Sequence, residues 1–384
     1  MTNERMVLAH GRVVTPEGVL EPGWVRLTGE RITKVAAGEP DEPVDLDLTG
    51  MTLLPGFVDM HVHGGGGGSY VSDEPERIAT AAEFHRRHGT TTTMASLISA
   101  RPDVLERQVA AVAEVAESGL LAGIHLEGPW ISEEKRGAHD RSVLRLPAPA
   151  EVGRLLQVGR GQIRMVTMAP ELAGAAEATE RLRQAGVVVA VGHTAADYRQ
   201  TRQAFEQGAR VGTHLFNAMP SLHHREPGAV AALLEDPRVL VELIADGHHV
   251  HPAMLGLAIR AAGVDRVALV TDAMDAAGMP DGRYRLGGRA VRVTEGLVKL
   301  EDGDSIAGST LTMQAAVRFL VRQVGVGLPQ AAAMAATNPA RALGLTEVGA
   351  IRPGLRADLV ALDDADLSVR FVLAGGSRVE SVPE

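Results

Sequence analysis

Two histidines lie one residue apart where an apolar segment meets a glycine run, in "GFVDMHVHGGGGG" at residues 56–68. Residues two positions apart in an extended strand point to the same face, so His61 and His63 would present their imidazoles together. Imidazole binds zinc, and also iron, manganese or cobalt. The pair is therefore a candidate for part of a divalent metal site.

Polar residues of the same kind follow other short apolar runs. A single histidine at a strand end is more often structural, but a set at corresponding points of a repeated unit is typical of a metal centre. The candidate ligands are His61, His63, Glu127 in "GIHLEGPW", His193 in "VGHT", His214 in "GTHLFNAM" and Asp272 in "LVTDAM". We predict that this set binds a divalent metal, zinc in the first place, with iron, manganese or cobalt as alternatives.

Asp272 also has the chemistry of a proton-transfer group. A carboxylate beside a metal-bound water can take its proton during attack on a carbonyl, then return it to a leaving nitrogen. The chain has no cysteine and no Gly-x-Ser-x-Gly segment, so covalent acyl-enzyme chemistry has little support. The pattern favours metal-assisted hydrolysis.

The elements that must position these residues indicate an α/β protein, a closed (β/α)8 TIM-type barrel. Eight apolar runs alternate with helix-like segments, and strands buried on both faces are typical of parallel sheets. The runs are Phe57–Val62, Thr90–Ile98, Leu121–Leu126, Ile163–Met168, Val187–Val191, Arg210–Thr213, Val239–Ala245 and Val267–Val270. The carboxyl ends of barrel strands meet at one rim, which would bring the candidate ligands together. A doubly wound open sheet is the competing interpretation.

Short alternating segments bounded by Gly, Pro or charge open and close the chain, and they predict antiparallel strands. Residues 1–53 and 348–384 are predicted to form a small β-sandwich domain, and residues 54–347 the catalytic barrel. Residues 280–305 interrupt the barrel pattern and are predicted to form a hairpin insertion. Two helices are expected after it, at Leu311–Val324 and Pro329–Ala342.

Composition limits the possible partners. The net charge of −10 disfavours a broad nucleic-acid surface. No stretch approaches the roughly 20 apolar residues of a membrane-spanning helix. The first residues, "MTNERMVLAH", lack the pattern of a secretory signal, and the absence of cysteine is compatible with a reducing compartment. We expect a cytoplasmic protein with no nucleic-acid or membrane partner.

The five glycines Gly64–Gly68 could be taken for a phosphate cradle. They lack the Lys-Ser/Thr pair of a P-loop and the Rossmann spacing. We predict instead that they allow a sharp turn and leave room for a substrate beside the metal.

Longer motifs resemble a known family. "DMHVHGG", "GHT", "TDA" and "NPARALGL" are similar to motifs of the amidohydrolase superfamily. "HLEGPW", "THLFNAMP", "REPG", "ADGHHV" and "AGSTLTM" resemble the N-acetylglucosamine-6-phosphate deacetylase family within it, and the resemblance covers nearly the whole chain. It implies hydrolysis of the acetamide of N-acetyl-D-glucosamine 6-phosphate to D-glucosamine 6-phosphate and acetate.

The resemblance also implies roles for individual residues. Glu127, His193 and His214 match the ligands of a metal present throughout the family. His61 and His63 match a pair that holds a second metal in some members, which implies one or two ions per chain. Asp272 matches the catalytic acid/base beside the metals, and His139 a residue that polarises the acetyl carbonyl.

Substrate contacts are implied in the same way, and they include one from a second subunit. Arg225 matches an arginine that reaches the sugar phosphate in the neighbouring active site, which implies a homodimer. The other matching positions are Ala138, Asn217, Ala218, His249, Ile306, Ala307 and Gly308.

Three alternatives stay open. Cyclic amidohydrolases of the dihydroorotase or hydantoinase type bridge two metals with a carboxylated lysine, and none of Lys34, Lys135 and Lys299 follows a predicted strand. N-acetylgalactosamine 6-phosphate differs from the glucosamine substrate only in the orientation of one hydroxyl. A non-catalytic sugar-phosphate-binding protein would not need the complete ligand set.

Overall fold

The computed structural model describes residues 5–380, and eight of its strands form a sheet in chain order. Strands 2 to 8 pair in parallel with their neighbours. Barrel strands 1 to 8 are Phe57–Asp59, Thr90–Ile98, Gly123–Glu127, Ile163–Met168, Val188–Val191, Val211–Gly212, Leu240–Ile244 and Val267–Val270. Each falls within or close to a run predicted from the sequence.

The first and last strands of this sheet meet at their carboxyl ends. Asp272, just after strand 8, donates its backbone N–H to the carbonyl of His61, just after strand 1, at 2.9 Å. His63 likewise donates to the carbonyl of Ala273 at 2.7 Å. Strand 2 is buried along its whole length, as expected of a parallel strand covered on both faces. The TIM-type barrel is confirmed, and the open doubly wound sheet is wrong.

Helices separate the strands, and several begin with recognisable signals. Pro102, Pro149 and Pro252 lie in the first turns of their helices, where the missing N–H costs nothing. The α-helices are Pro75–Arg87, Pro102–Glu117, Pro149–Val158, Ala175–Gln184, Tyr198–Gln207, Gly228–Glu235, Pro252–Ala262, Met313–Phe319, Leu328–Ala332 and Asn338–Ala342. The π-helical segments Leu320–Val324 and Ala333–Thr337 continue helices at the C-terminal end, so both predicted C-terminal helices are present.

The insertion has one strand more than the predicted hairpin. Gly282–Leu286, Arg289–Thr294 and Leu297–Leu300 form a three-stranded antiparallel sheet. Glu295 and Gly296 both have positive φ, and this turn reverses the chain a second time. One face of the sheet packs into an apolar cluster with Ile98, Met274 and Ala307.

Both ends of the chain contribute to a second sheet. Met51–Pro55 lies at its centre, parallel to Arg5–Thr15 and antiparallel to Leu359–Asp363. The remaining strands are Gly18–Thr28, Arg31–Ala37, Leu46–Asp47, Val369–Ala374 and Ser377–Val379. Its core includes Leu27, Leu53 and Leu359. The small β domain built from both termini is confirmed, apart from residues 1–4 and 381–384, which lie outside the described residues.

The described chain divides into two compact units. One comprises residues 5–59, 83–92 and 312–380 and contains the terminal sheet. The other comprises residues 60–82 and 93–311 and contains all six candidate ligands. The predicted domain bounds, 1–53 with 348–384 and 54–347, stay a prediction. Within residues 5–380, no helix combines the length and apolarity needed to span a bilayer.

The glycine run forms a tight hairpin, Gly64–Gly65 against Gly68–Ser69. A Cβ at Gly64 would lie 2.6 Å from the Gly68 carbonyl, and one at Gly68 would lie 2.4 Å from the backbone of Ala81. Close backbone approach therefore requires glycine here. The sharp turn is present, but none of Gly64–Gly68 lines the cavity described below, so the prediction that they leave room for substrate is wrong.

Asp275 lies beside this hairpin, and its replacement by Asn is expected to stabilise the fold above about pH 6. Burial raises the pKa of Asp275 to about 6, and Arg77, 3.7 Å away, only partly offsets this. The folded state then holds the proton more tightly than the unfolded state, so stability falls as pH rises through this range. The Asp275→Asn variant should gain on the order of 1–2 kcal/mol at pH 7, after allowance for solvent screening.

Chemical unfolding of both proteins at several pH values tests this effect. The gain should be absent near pH 4, grow up to about pH 6 and stay constant above it. A gain of equal size at pH 4 and pH 8 would contradict an ionisation effect.

Candidate active site

Glu127 lies at the centre of a buried cluster of imidazoles and carboxylates. It is the last residue of strand 3, and its Oε1 lies 3.0 Å from His193 Nε2 and 3.1 Å from His214 Nε2. The two Nε2 atoms are 3.0 Å apart. Because His193 and His214 follow strands 5 and 6, the barrel rim itself brings the three side chains together.

His61 and His63 reach the same carboxylate from the end of strand 1. His63 Nε2 is 3.3 Å from Glu127 Oε2 and 3.1 Å from Asp272 Oδ1. His61 Nε2 is 3.4 Å from Glu127 Oε1 and 3.5 Å from Asp272 Oδ1. All four residues are buried. The six predicted ligands therefore form one cluster.

Hydrogen bonds determine which ring nitrogen faces this cluster. The carbonyl oxygens of Lys135 and Ser96 only accept, so His193 Nδ1, at 2.8 Å, and His63 Nδ1, at 3.0 Å, carry the protons. The Nε2 lone pairs then point at carboxylate oxygens. Lone pairs facing anionic oxygens repel each other unless a cation lies among them, either a proton on Nε2 when no metal is bound or a metal ion in its place. The donor set thus fits a divalent metal.

The electrostatics of the cluster favour bound cations. Burial alone would lower the pKa of His63, but hydrogen bonds to Asp272 and Glu127 outweigh it and raise this pKa to about 9. Burial alone would raise the pKa of Asp272, yet the hydrogen bond from His63 and the charge of His61 hold it at about 2. Both effects show that the carboxylates remain ionised and attract positive charge.

Three of the cluster residues have a strained backbone. His193, His214 and Asp272 have φ of 47°, 29° and 50°, in the left-handed region that residues with a Cβ rarely adopt. Such strain persists where the surrounding structure holds it in place, and it is concentrated at functional sites. It turns these side chains inward immediately after their strands.

His139 differs from the other imidazoles in its proton position. Its Nδ1 accepts a hydrogen bond from the backbone N–H of Ser99 at 3.3 Å, which places the ring proton on Nε2. Burial lowers the pKa of His139 to about 4, so the ring is neutral at neutral pH. Nε2 lies 3.4 Å from Glu127 Oε2. His139 is therefore equipped to donate a hydrogen bond into the site rather than to ligate a metal.

A cavity of about 360 Å³ opens onto the cluster. Six of the predicted substrate positions line it: Ala138, Asn217, Ala218, His249, Ile306 and Gly308. The structure does not bring the other two to its wall. Ala307 is fully buried in the apolar cluster beneath the insertion, and Arg225 lies on an exposed loop with its guanidinium against His224.

Sequence reasoning missed several residues of the site. Leu286 of the insertion and Ile98 of strand 2 supply apolar wall. Asp246 holds His249 by a 2.6 Å contact between its Oδ2 and the ring Nδ1. Glu242, fully buried within strand 7, contacts His61. A charged residue inside the apolar run "VELIA" was the available signal for Glu242.

Comparison with known proteins agrees with this geometry. The amidohydrolase family profile matches residues 52–380. An N-acetylgalactosamine-6-phosphate deacetylase from Escherichia coli O157:H7 is 40% identical, over 93% of this chain and 95% of that protein. An N-acetylglucosamine-6-phosphate deacetylase from Vibrio furnissii is 37% identical, over 87% and 84%.

A solved structure of a related enzyme also has the same fold. It is a mutant N-acetyl-D-glucosamine-6-phosphate deacetylase from Mycobacterium smegmatis in complex with N-acetyl-D-glucosamine-6-phosphate. It superposes with a TM-score of 0.96 at 46% identity, covering 98% of this chain and all of the other. On its sequence, its fold and its cluster of imidazoles and carboxylates, the chain belongs to the amidohydrolase family.

Proposed function

We propose that this protein hydrolyses the acetamide of N-acetyl-D-glucosamine 6-phosphate, releasing acetate and D-glucosamine 6-phosphate. The observation that carries the proposal is the buried cluster around Glu127, which opens onto a cavity large enough for a sugar phosphate. Relatives and a solved structure with the same activity in their names support the substrate class.

The cluster can be divided into two metal positions that share Glu127. One ion would be held by Glu127, His193 and His214, and a second by His61 and His63, with Glu127 bridging and Asp272 adjacent. Zinc suits this nitrogen and oxygen set best, and iron, manganese or cobalt also suit it. When bound, the metal supplies a water of lowered pKa and polarises the acetyl oxygen.

Three features of the protein then perform the reaction. Asp272, a buried carboxylate beside His63, takes a proton from the attacking water and returns it to the leaving sugar nitrogen. The Nε2–H of neutral His139 donates to the acetyl oxygen as negative charge develops there. Burial of the cluster strengthens both interactions, because little bulk water screens them.

The cavity wall would position the sugar and its phosphate. Asn217 and Ala218 would meet the phosphate, His249 the sugar phosphate, and Ala138, Ile306 and Gly308 the sugar. In a homodimer, Arg225 would reach the phosphate in the partner's site, where a planar guanidinium pairs two oxygens. Its exposed position outside its own cavity supports this role.

Arg225→Ala is expected to raise KM for the phosphorylated sugar about tenfold to a hundredfold and to leave kcat nearly unchanged. A hydrogen bond to a charged group contributes roughly 1.5–3 kcal/mol. Steady-state kinetics with N-acetylglucosamine and its 6-phosphate check this, with Arg101→Ala as a control at another exposed arginine. An equal decrease in kcat/KM for both sugars would show that Arg225 has a structural role instead.

The proposal as a whole is tested by acetate release from metal-stripped protein titrated with zinc, iron(II), manganese and cobalt. Bound metal per chain is counted in parallel. If activity saturates near one ion per chain, His61 and His63 are not ligands of a required metal. If it saturates near two, they are ligands of a second ion that activity requires. No acetate with any metal would reject this substrate.

The galactosamine epimer is a second candidate substrate, favoured by the 40% identical relative of that name. The ratio of kcat/KM for the two epimers decides between them. A carboxylated lysine of the cyclic-amide type has less support, since the ammonium of Lys135 pairs with Glu134 and only its carbonyl meets His193. A purely binding protein would not need Asp272 ionised beside the cluster. A cytoplasmic location, without nucleic-acid or membrane partners, stays a prediction.

A further inference from the structure

Glu242 is a buried carboxylate with contacts to both halves of the cluster. It lies in the middle of strand 7, Leu240–Ile244, and its side chain is 0% exposed. Its Oε2 lies 3.0 Å from His61 Nδ1 and accepts the backbone N–H of His214 at 3.1 Å. One oxygen thus links a ligand of the first metal position to a ligand of the second.

The contact with His61 sets the direction of that ring. A carboxylate oxygen accepts, so Nδ1 of His61 carries the proton and Nε2 presents its lone pair. The same Nε2 is the atom that faces Glu127 and Asp272. A carboxylate behind a ligating histidine also makes the ring a stronger donor to a metal.

A purely structural role does not explain a carboxylate at this position. Burying a charge is costly unless it is paired, and an apolar residue of similar size often serves a barrel interior equally well. Within residues 5–380, Oε1 of Glu242 is buried and has no hydrogen-bond partner. The cost of burying the charge is thus only partly offset by protein contacts, which points to an electrostatic role.

We propose that Glu242 is a positioning residue that makes the His61 and His63 position a working metal site, so that the protein binds two ions. This rests on the proposed function, because it assumes that the cluster binds metal. The contact of Glu242 with Nδ1 of His61 holds the ring with Nε2 directed at Glu127 and Asp272. Its link to His61 confines the effect mainly to the second ion.

Glu242→Gln tests the proposal, because the amide oxygen can still accept both hydrogen bonds while the charge is lost. Metal-stripped protein is dialysed against graded free zinc or manganese, and bound ions per chain are counted. The second ion should bind about 10- to 100-fold more weakly, with the first nearly unchanged. Asp275→Asn, a carboxylate neutralised three residues after Asp272, should bind both ions normally.

A double-mutant comparison separates positioning from folding. In a His61→Ala background, Glu242→Gln should weaken metal binding no further, since its partner ring is absent. Equal weakening with and without His61 would show a structural effect through His214 and overturn the proposal. Thermal melting of the metal-free variants monitors folding.

The same titration distinguishes this inference from the proposed function. Wild-type protein that never exceeds one ion, or Glu242→Gln that binds two ions with wild-type affinity, overturns the role of Glu242 even if acetate is released. In the opposite outcome, the wild type binds two ions, Glu242→Gln loses the second, and the wild type releases no acetate. That result would support the role of Glu242 and reject the substrate.

Discussion

Replacing Asp272 with Asn is expected to lower kcat for acetate release about 10²- to 10⁴-fold, the usual contribution of a positioned acid/base. The carboxylate is buried and ionised, and its Oδ1 lies 3.1 Å from His63 and 3.5 Å from His61. An amide of the same shape keeps the space filled but cannot take a proton from water. KM and the first bound ion should therefore change much less than kcat.

Steady-state kinetics, together with metal counting, check this expectation. Asp275→Asn is the matched control, because it removes a neighbouring carboxylate that contacts none of the cluster residues in the hydrogen bonds and ion pairs of the described chain. It should keep kcat near the wild-type value. If Asp272→Asn retains a kcat within tenfold of wild type, another group transfers the proton. If it loses both ions, Asp272 acts chiefly as a ligand.

The barrel and the clustering of the candidate ligands could be predicted because both depend on periodic signals. Strands buried on both faces appear as continuous apolar runs, and the rim of a parallel barrel lies at the end of each run. His193, His214 and Asp272 follow directly from this rule. The left-handed backbone of all three has no comparable signal in a single sequence, since none of them is glycine.

Residues inside the strands could not be found by the same rule. Glu242 lies in mid-strand, where the alternation of side chains decides which residues face the barrel interior, and its partner His61 is 181 positions away. Ser99 and Ser96 are common residue types, and only the fold brings them to His139 and His63. Long-range pairing of this kind requires coordinates.

The insertion and the glycine run were also not fully predictable from the sequence around them. The insertion's third strand depends on a turn at Glu295–Gly296 that is weak as a sequence signal. The position of the glycines after His63 predicts that they leave room for a substrate, yet Gly64 and Gly68 pack against the backbone of Asp275 and Ala81. Sequence adjacency to a ligand did not mean proximity to the cavity.

Glu127→Gln is expected to have the broadest effect of any single substitution in the site. Oε1 of Glu127 faces His193 and His214, while Oε2 faces His63 and His139. An amide offers one oxygen and one NH₂ group, so it cannot ligate on both sides. We expect the affinity for metal to fall at least about 10²-fold and kcat/KM about 10³-fold or more, as several kcal/mol of metal-dependent stabilisation is lost.

Glu134→Gln provides the control, since Glu134 lies on the cavity wall, pairs with Lys135 and makes no contact with the predicted ligands among the ion pairs of residues 5–380. Its metal content should equal that of the wild type. Excess zinc should restore part of the activity of Glu127→Gln if weakened binding is the whole defect, and none if the carboxylate must bridge two ions. If Glu127→Gln binds metal with wild-type affinity, Glu127 is not the central ligand of the site. Metal binding would then no longer explain why four histidines from three strand ends converge on this carboxylate.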